Sequence, residues 1–381
     1  MPIDENRTAH HEAERSSRRP DISRHRGQHM SKDEIRREEF SQFLSERHLS
    51  AAGMGWSQRG QQSTASPQTA YADGHWKWAD IHAALTQAGQ LVTLGPSGMV
   101  EMRTVHGTGA PRRATSMSTQ ILMPGERTRG HRNMKNETRL VHQAPPGAVF
   151  IGDGEAFPME RGNVIINPTW TFHESFNPSD SEPAIWIDGF DTGYATLGEV
   201  AEEFGLNERY PEDAPYQIIE RPIGYSLKTR GLVRAEADER PYPLPPVNYP
   251  WTETEAALTA LKEREASGDP FEGLYLMLVS PVDGGPTLPT IAWHVQMLRS
   301  REKTRAHRHN STTHYHAFQG EGVTVIEGER LEWTAGDIFV VPPWRWHRHE
   351  NLMSSDSILF SIDDWPAMTK LGFFKKEEAP A

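Results

Sequence analysis

T-R-A-H-R-H-N-S-T-T-H-Y-H-A-F-Q-G-E-G (residues 304–322), followed by a β-rich run that ends in G-D-I-F-V-V-P-P-W-R-W-H-R-H-E-N (residues 336–351), is the stretch that sets the fold. His307 and His309 lie two apart in a segment that alternates like a strand, so both imidazoles face one side of a sheet. His347 arrives after the Gly336-Asp337 and Pro342-Pro343 punctuation, on what reads as a returning strand. Two histidines on one strand and a third on its return converge inside a small β-barrel. Imidazole suits iron, zinc, copper or nickel, and an inward cluster with open positions is how oxygen-activating non-haem iron sites are built. With 18 histidines in 381 residues, an isolated H-x-H pair arises easily on a polar strand and binds nothing. What favours a metal here is the order behind the pair: Gly320-Glu321-Gly322, Gly336-Asp337, Pro342 and His347, as a jelly-roll barrel needs.

Composition narrows the class. The chain is long enough for two compact domains and an arm. Its 40 basic against 52 acidic residues give a net charge of −12, which argues against a nucleic-acid partner. There are no cysteines, so disulfides, thiolate metal sites and cysteine nucleophiles fall away together and any metal sits on histidine, carboxylate or amide ligands. No run approaches the roughly 18 apolar residues of a membrane span, and the first residues are charged. A cytoplasmic protein without a membrane partner is the expectation.

Beyond this stretch the chain resembles a known family, the bicupin ring-cleaving dioxygenases of the gentisate, salicylate and 1-hydroxy-2-naphthoate 1,2-dioxygenase group. The resemblance runs from about His75 to about Trp365. It rests on H-W-K-W-A-D-I (residues 75–81), M-P-G-E-R-T-R-G-H-R-N (123–133), N-P-T-W-T-F-H-E (167–174), I-W-I-D-G-F-D (185–191) and G-G-P-T-L-P-T-I (284–291), besides the opening stretch. It implies an all-β fold with peripheral helices, two jelly-roll barrels in one chain. It also implies Fe(II) as cofactor, O2 as co-substrate, a small aromatic acid as substrate and a homo-oligomer, dimer or tetramer.

Taken in order, residues 1–30 are polar and read as a disordered or partner-contacting arm. Residues 31–90 are a helical segment and linker, with an amphipathic helix over Ser31–His48 and a second from Trp78 to about Ala88. Short apolar runs broken by Gly, Pro and Asn then mark a first barrel over 91–191. Residues 192–274 form a connector with helical promise at Leu197–Phe204 and Thr252–Ala266 and a Pro-rich crossing at Pro241–Pro246. A second barrel spans 275–365, and 366–381 is a tail. Internal duplication shows in Gln120, which precedes His131 by the interval that separates Gln296 from His307.

The two copies differ in their ligands. The first reads Gly130-His131-Arg132-Asn133 where iron-bearing members of the family have H-R-H, so an amide stands in for one imidazole. Glu137, in phase with His131, offers a two-histidine, one-carboxylate set with His173; the alternative is a barrel kept only for folding and subunit contacts. By resemblance Arg139 and Gln120 match substrate-holding positions, although Arg139 is equally a barrel residue paired with Asp188.

The second copy carries the full set, and the expected iron ligands are His307, His309 and His347. The family habit is the reverse, a complete first site and a depleted second. His349 stands where the family often has an acid–base or supporting histidine. His314 stands where other cupins place a glutamate ligand; otherwise His314 and His316 are core polar groups. Gln296 and His294 are expected to face the substrate, with Tyr315 at the position matching Arg139. A tyrosine cannot grip a carboxylate as arginine does, and nothing in the sequence places Arg299 or Arg305 in the pocket. The rival classes are the same chemistry in the first barrel and a non-catalytic binder of a small aromatic ligand.

Overall fold

The computed structural model describes residues 74–91, 99–100, 103–105, 114–195, 207–209, 246–265 and 267–380, together with 32, 35, 38, 39, 42 and 46. The chain divides into Met1–Pro67 and Gln68–Ala381. In the first unit, residues 32, 35, 38, 39 and 42 are helical, and Gln42 Nε2 donates to Glu46 Oε1 at 3.0 Å. The N-terminal arm, the apolar positions Phe40, Phe43 and Leu44, the linker over 53–73, the helix expected at Leu197–Phe204 and most of the Pro-rich crossing lie outside the described residues.

The second unit holds four antiparallel-rich sheets, two for each barrel. In the N-terminal barrel the strands Thr104–Val105, Ser116–Leu122, Ala184–Phe190, Glu137–Gln143, Val164–Asn167 and Val247–Tyr249 form one sheet. His131–Asn133, His173–Phe176 and their neighbours form the other. The C-terminal barrel repeats this. Leu274–Leu278, Ala292–Leu298, Ser357–Asp363, Thr313–Gln319, Ile338–Val341 and Gly74–Trp76 make one sheet, and Lys376–Glu378, His307–His309, His347–Asn351, Glu321–Ile326 and Glu329–Thr334 the other.

Alternation sorts the side chains of the larger sheets into two sets. Leu140, Ile185, Ile187, Ile121, Trp293, Val295, Ile358, Phe360 and Ile362 pack together in one core shared by the two barrels. The intervening residues fill each barrel: Val141, Ala184 and Trp186 in the first, Leu298, Tyr315, Ala317 and Leu359 in the second. Strands buried on both faces read as nearly unbroken apolar runs, as in S-I-L-F-S-I-D, residues 357–363, all of it buried.

Two features extend the barrels past their expected limits. The leader strand of each barrel pairs with the other one: Gly74–Trp76 joins Ile338–Val340, and Val247–Tyr249 joins Val164–Ile166. Segments beyond each barrel also return to the histidine strands, Asn207–Arg209 onto His131–Asn133 and Lys376–Glu378 onto His307–His309. The residues read as tail therefore include a strand of the sheet. Among the described residues of this unit the helices run Trp78–Leu91, Thr192–Ala195, Trp251–Arg264 and Trp365–Lys370.

The seam between barrels carries histidines. His314 Nε2 donates to the Thr115 carbonyl at 3.1 Å, and His142 Nδ1 stands 3.4 Å from His316 Nε2. Burial pushes His314 down to about 4, and burial, with Arg161 adding, pushes His142 down to about 4. The native state therefore holds these rings neutral while the unfolded chain protonates them below 6.5. Their contribution is complete above pH 6.5 and is lost as pH falls towards 4, by at most about 1.4 kcal/mol per pH unit per buried histidine. Asp188, raised to about 7 by burial, acts in the opposite sense, as do Asp191, Asp363 and Asp364, which burial also raises; His131, His294, His309, His316, His347 and His349, lowered by burial, act in the same sense as the seam pair and outnumber them. The urea midpoint is expected to drop between pH 7 and pH 5; an unchanged midpoint would contradict neutral burial of the barrels' histidines.

Candidate metal centre

His307 and His347 sit directly opposite each other on paired strands, and His309 follows on the same face as His307. One ring nitrogen from each of the three lies within 4.8 Å of the others. The tautomers are set by local backbone. His347 Nδ1–H donates to the Arg345 carbonyl at 3.0 Å and His309 Nδ1–H to the Ser311 carbonyl at 3.1 Å, so each turns Nε2 with a free lone pair to the cluster. His347 Nε2 and both nitrogens of His307 are buried without a hydrogen-bond partner. Orphaned buried polar atoms are costly, and a divalent cation would satisfy His347 Nε2 and one nitrogen of His307 together. Burial, reinforced by His307, lowers His309 to about 4 and holds His347 well below its ordinary value, which keeps both neutral, as ligation requires.

Around the trio stand the expected neighbours. His349 lies inside the barrel, its ring 5.8 Å from that of His347, with Nδ1 2.9 Å from Thr324 Oγ1 and Nε2 unpartnered. Gln296 and His294 point inward from the Ala292–Leu298 strand, His294 stacked on Tyr275 at 4.8 Å and its Nδ1 3.6 Å from Asp363 Oδ2. Tyr315 also points inward, stacked on Phe339 at 4.9 Å and 5.0 Å from the His349 ring.

His314 is not brought to the site. It neighbours Tyr315 on the strand, so when tyrosine faces the barrel interior the histidine must face the seam, where Thr115 holds it; His316 shares that face. Arg299 is engaged by Glu302, and Arg305 lies over Phe271 at 4.9 Å and donates to the Ala379 carbonyl at 2.7 Å. Neither turns to the trio.

Sequence reasoning missed Glu272. Its Oε1 lies 3.0 Å from His307 Nε2, delivered by the Asp269–Gly273 turn. The only signal was the D-P-F-E-G turn composition ahead of a strand, which marks a turn and not a site.

The N-terminal barrel holds a second cluster, His131, Glu137 and His173, again with donor atoms within 4.8 Å of one another. Glu137 Oε2 is 3.0 Å from His173 Nε2, while its Oε1 accepts from Arg139 at 2.7 Å. Arg139 also donates to Asp188 Oδ1 at 3.1 Å and to Ser175 Oγ at 2.6 Å, with Trp186 and Phe150 against its guanidinium. Gln120 Nε2 donates to Asp188 Oδ2 at 2.5 Å. Arg139 is thus tied to two carboxylates and a hydroxyl within its own barrel. Asp188, beside it, is lifted to about 7 by burial against the pull of Arg139, and His131 falls to about 3 through burial and the neighbouring His173.

Residues 294–363 match the cupin domain family. The 5-aminosalicylate 1,2-dioxygenase of a Comamonas species is 33% identical over 326 residues, 82% of this chain and 83% of that protein. Gentisate 1,2 dioxygenase 1 of Aquipseudomonas alcaligenes is 32% identical over 346 residues, 89% and 96% of the two chains. The structure of salicylate 1,2-dioxygenase from Pseudoaminobacter salicylatoxidans with gentisate superposes with a TM-score of 0.75 at 25% identity, covering 92% of this chain and 96% of that one. No described helix is long and apolar enough to cross a membrane. Two barrels, each with a buried cluster of side chains that could hold a metal, and this extent of likeness place the chain in the bicupin family of gentisate, salicylate and 1-hydroxy-2-naphthoate 1,2-dioxygenases, as an aromatic-ring-cleaving dioxygenase.

Proposed function

We propose that the enzyme opens the ring of a hydroxylated or aminated aromatic acid such as gentisate, salicylate or a substituted salicylate. The break falls between the hydroxyl- and carboxyl-bearing carbons, in the C-terminal barrel. The observation that carries this reading is the trio His307, His309 and His347, three imidazoles each with a ring nitrogen that meets the others in a buried space. An Fe(II) ion held by them supplies a Lewis acid and a place for O2 beside the substrate. The protein's own contribution is orientation. Arg345 and Ser311 fix the ligand tautomers, and His349 Nε2, His294 and Gln296 line the space. Trp333, Phe339 and Leu359, all buried, keep it dry.

A second reading, with the metal in the N-terminal barrel on His131, Glu137 and His173, is favoured by donors that likewise lie within 4.8 Å of one another. Two things weigh against it: Asn133 in place of a third imidazole, and the engagement of Glu137 by Arg139. A binder without catalysis would not need three converging imidazoles. The test is oxygen uptake by protein loaded anaerobically with Fe(II), against gentisate, salicylate and 5-aminosalicylate. Stoichiometric consumption of O2 and acid with at least one of them is expected, and none with any would leave the binder. The same reading takes the enzyme to be a cytoplasmic homo-oligomer.

A further inference from the structure

The Asp269-Pro270-Phe271-Glu272-Gly273 turn is held rigidly. Asp269 Oδ1 accepts from the backbone N–H groups of Phe271 and Glu272 at 2.8 and 3.0 Å. Asp269 and Gly273 exchange backbone hydrogen bonds of 2.7 and 2.8 Å, and the Arg305 N–H donates to the Pro270 carbonyl at 2.7 Å. Gly273 takes φ +74°, a left-handed conformation that suits glycine. Phe271 meets the His307 ring edge-on at 5.8 Å. Gln296 Nε2 then pins Glu272 itself, donating to its carbonyl at 2.6 Å and to Oε2 at 3.2 Å.

This leaves Oε1. It stands 3.0 Å from His307 Nε2; when His307 gives that nitrogen's lone pair to a metal it has no N–H left there to offer, and the oxygen is free to accept from another donor. Glu272 is also outside the set of donors that lie within 4.8 Å of one another. An acceptor oxygen is therefore fixed next to the trio without closing on it. The charge of the compartment points the same way. Glu272 faces it, while burial favours the uncharged form of Asp363; Tyr315 occupies the place that Arg139 holds in the other barrel, and no buried lysine or arginine belongs to this barrel among the described residues, the exposed Lys376 standing 5.4 Å over the Phe271 ring. An anion entering here meets the Glu272 carboxylate, whereas an O–H or N–H group meets a ready acceptor.

We propose that Glu272 Oε1 is the specificity determinant of the C-terminal site: it accepts a hydrogen bond from the hydroxyl or amino group beside the substrate's carboxyl, and it disfavours acids that offer a carboxylate alone. The inference rests on the assignment of the substrate to this barrel. A hydrogen bond to a charged acceptor separates two such ligands by about tenfold or more.

The test is calorimetric binding of salicylate and benzoate, which differ by one hydroxyl, to Fe(II)-loaded protein without oxygen. Wild type, Glu272→Gln and Glu272→Ala are compared, with iron per chain measured in parallel. Wild type is expected to prefer salicylate, and both variants to lower the salicylate-to-benzoate preference at least about tenfold, with benzoate bound more tightly than by wild type and iron content unchanged. A parallel loss for both ligands would mean that Glu272 only supports the fold. Loss of iron would make it a fourth ligand, and an unchanged preference would leave it no part in selection; each overturns the proposal. If His307→Ala leaves salicylate binding intact, the assignment to this barrel fails instead, whatever the Glu272 variants do.

Discussion

His307→Ala is expected to strip the chain of its catalytic iron and its turnover together, whereas His131→Ala keeps both. His307 is fully buried and is one of the three donors that converge, so alanine there leaves two imidazoles, and neither Glu272 nor His349 belongs to the converging set. Loss of a partner outside the ligand set costs about 10–100-fold in metal affinity or activity; loss of a ligand exceeds that, and a fall of at least about a hundredfold is the expected reading. The N-terminal change removes His131 from a cluster in which Glu137 is already bound to Arg139 and a third imidazole is missing, and turnover should stay within a few-fold of wild type. Iron per chain and oxygen uptake, measured on both variants with a melting curve as the folding control, separate the outcomes. Activity lost only with His131→Ala would move the chemistry to the other barrel.

The convergence of His307, His309 and His347 was legible because period-two alternation and a glycine- and proline-marked return place three residues on one face without any knowledge of the rest. His314 was not legible for a related reason. Alternation says that His314 and Tyr315 point to opposite sides, but the strand Thr313–Gln319 is buried on both faces apart from its last residue, so composition gives no hint of which side is the barrel. Only its register against Ser357–Asp363, with Tyr315 opposite Ser361 inside and His314 opposite Ile362 at the seam, decides it. Arg139 shows another limit. Its type fits a carboxylate, and the sequence offered two, a substrate's or that of Asp188; the fold supplies Asp188 and Glu137 together. Glu272 reaches His307 through a turn, where no periodicity operates. The exchange of leader strands was hidden because strand pairing between distant segments leaves no local signature.

That exchange carries the second large effect. Each barrel closes on the other's leader through the same device. Trp78 N–H donates to Asp337 Oδ1 at 2.8 Å, and Trp251 N–H donates to Asn163 Oδ1 at 2.9 Å. Before each acceptor stands a glycine in the left-handed region, Gly336 at φ +97° and Gly162 at φ +86°. A Cβ on Gly336 would lie 2.4 Å from Trp78 Cγ, and one on Gly162 2.7 Å from Trp251 Cγ. Gly336→Ala therefore combines left-handed strain, about 1–3 kcal/mol, with overpacking against an indole ring, about 1–3 kcal/mol more. The expected melting temperature falls by roughly 5–15 °C, at about 2–4 °C per kcal/mol for a chain of this order of size. Because Gly74–Trp76 is a strand of the C-terminal barrel and leads into the N-terminal one, neither barrel can melt and leave the other's sheet whole. Calorimetry should accordingly show one transition, shifted as a unit by Gly336→Ala and by Gly162→Ala alike. Two separate transitions, or a variant that moves one barrel alone, would show that the crossed leaders do not couple the halves.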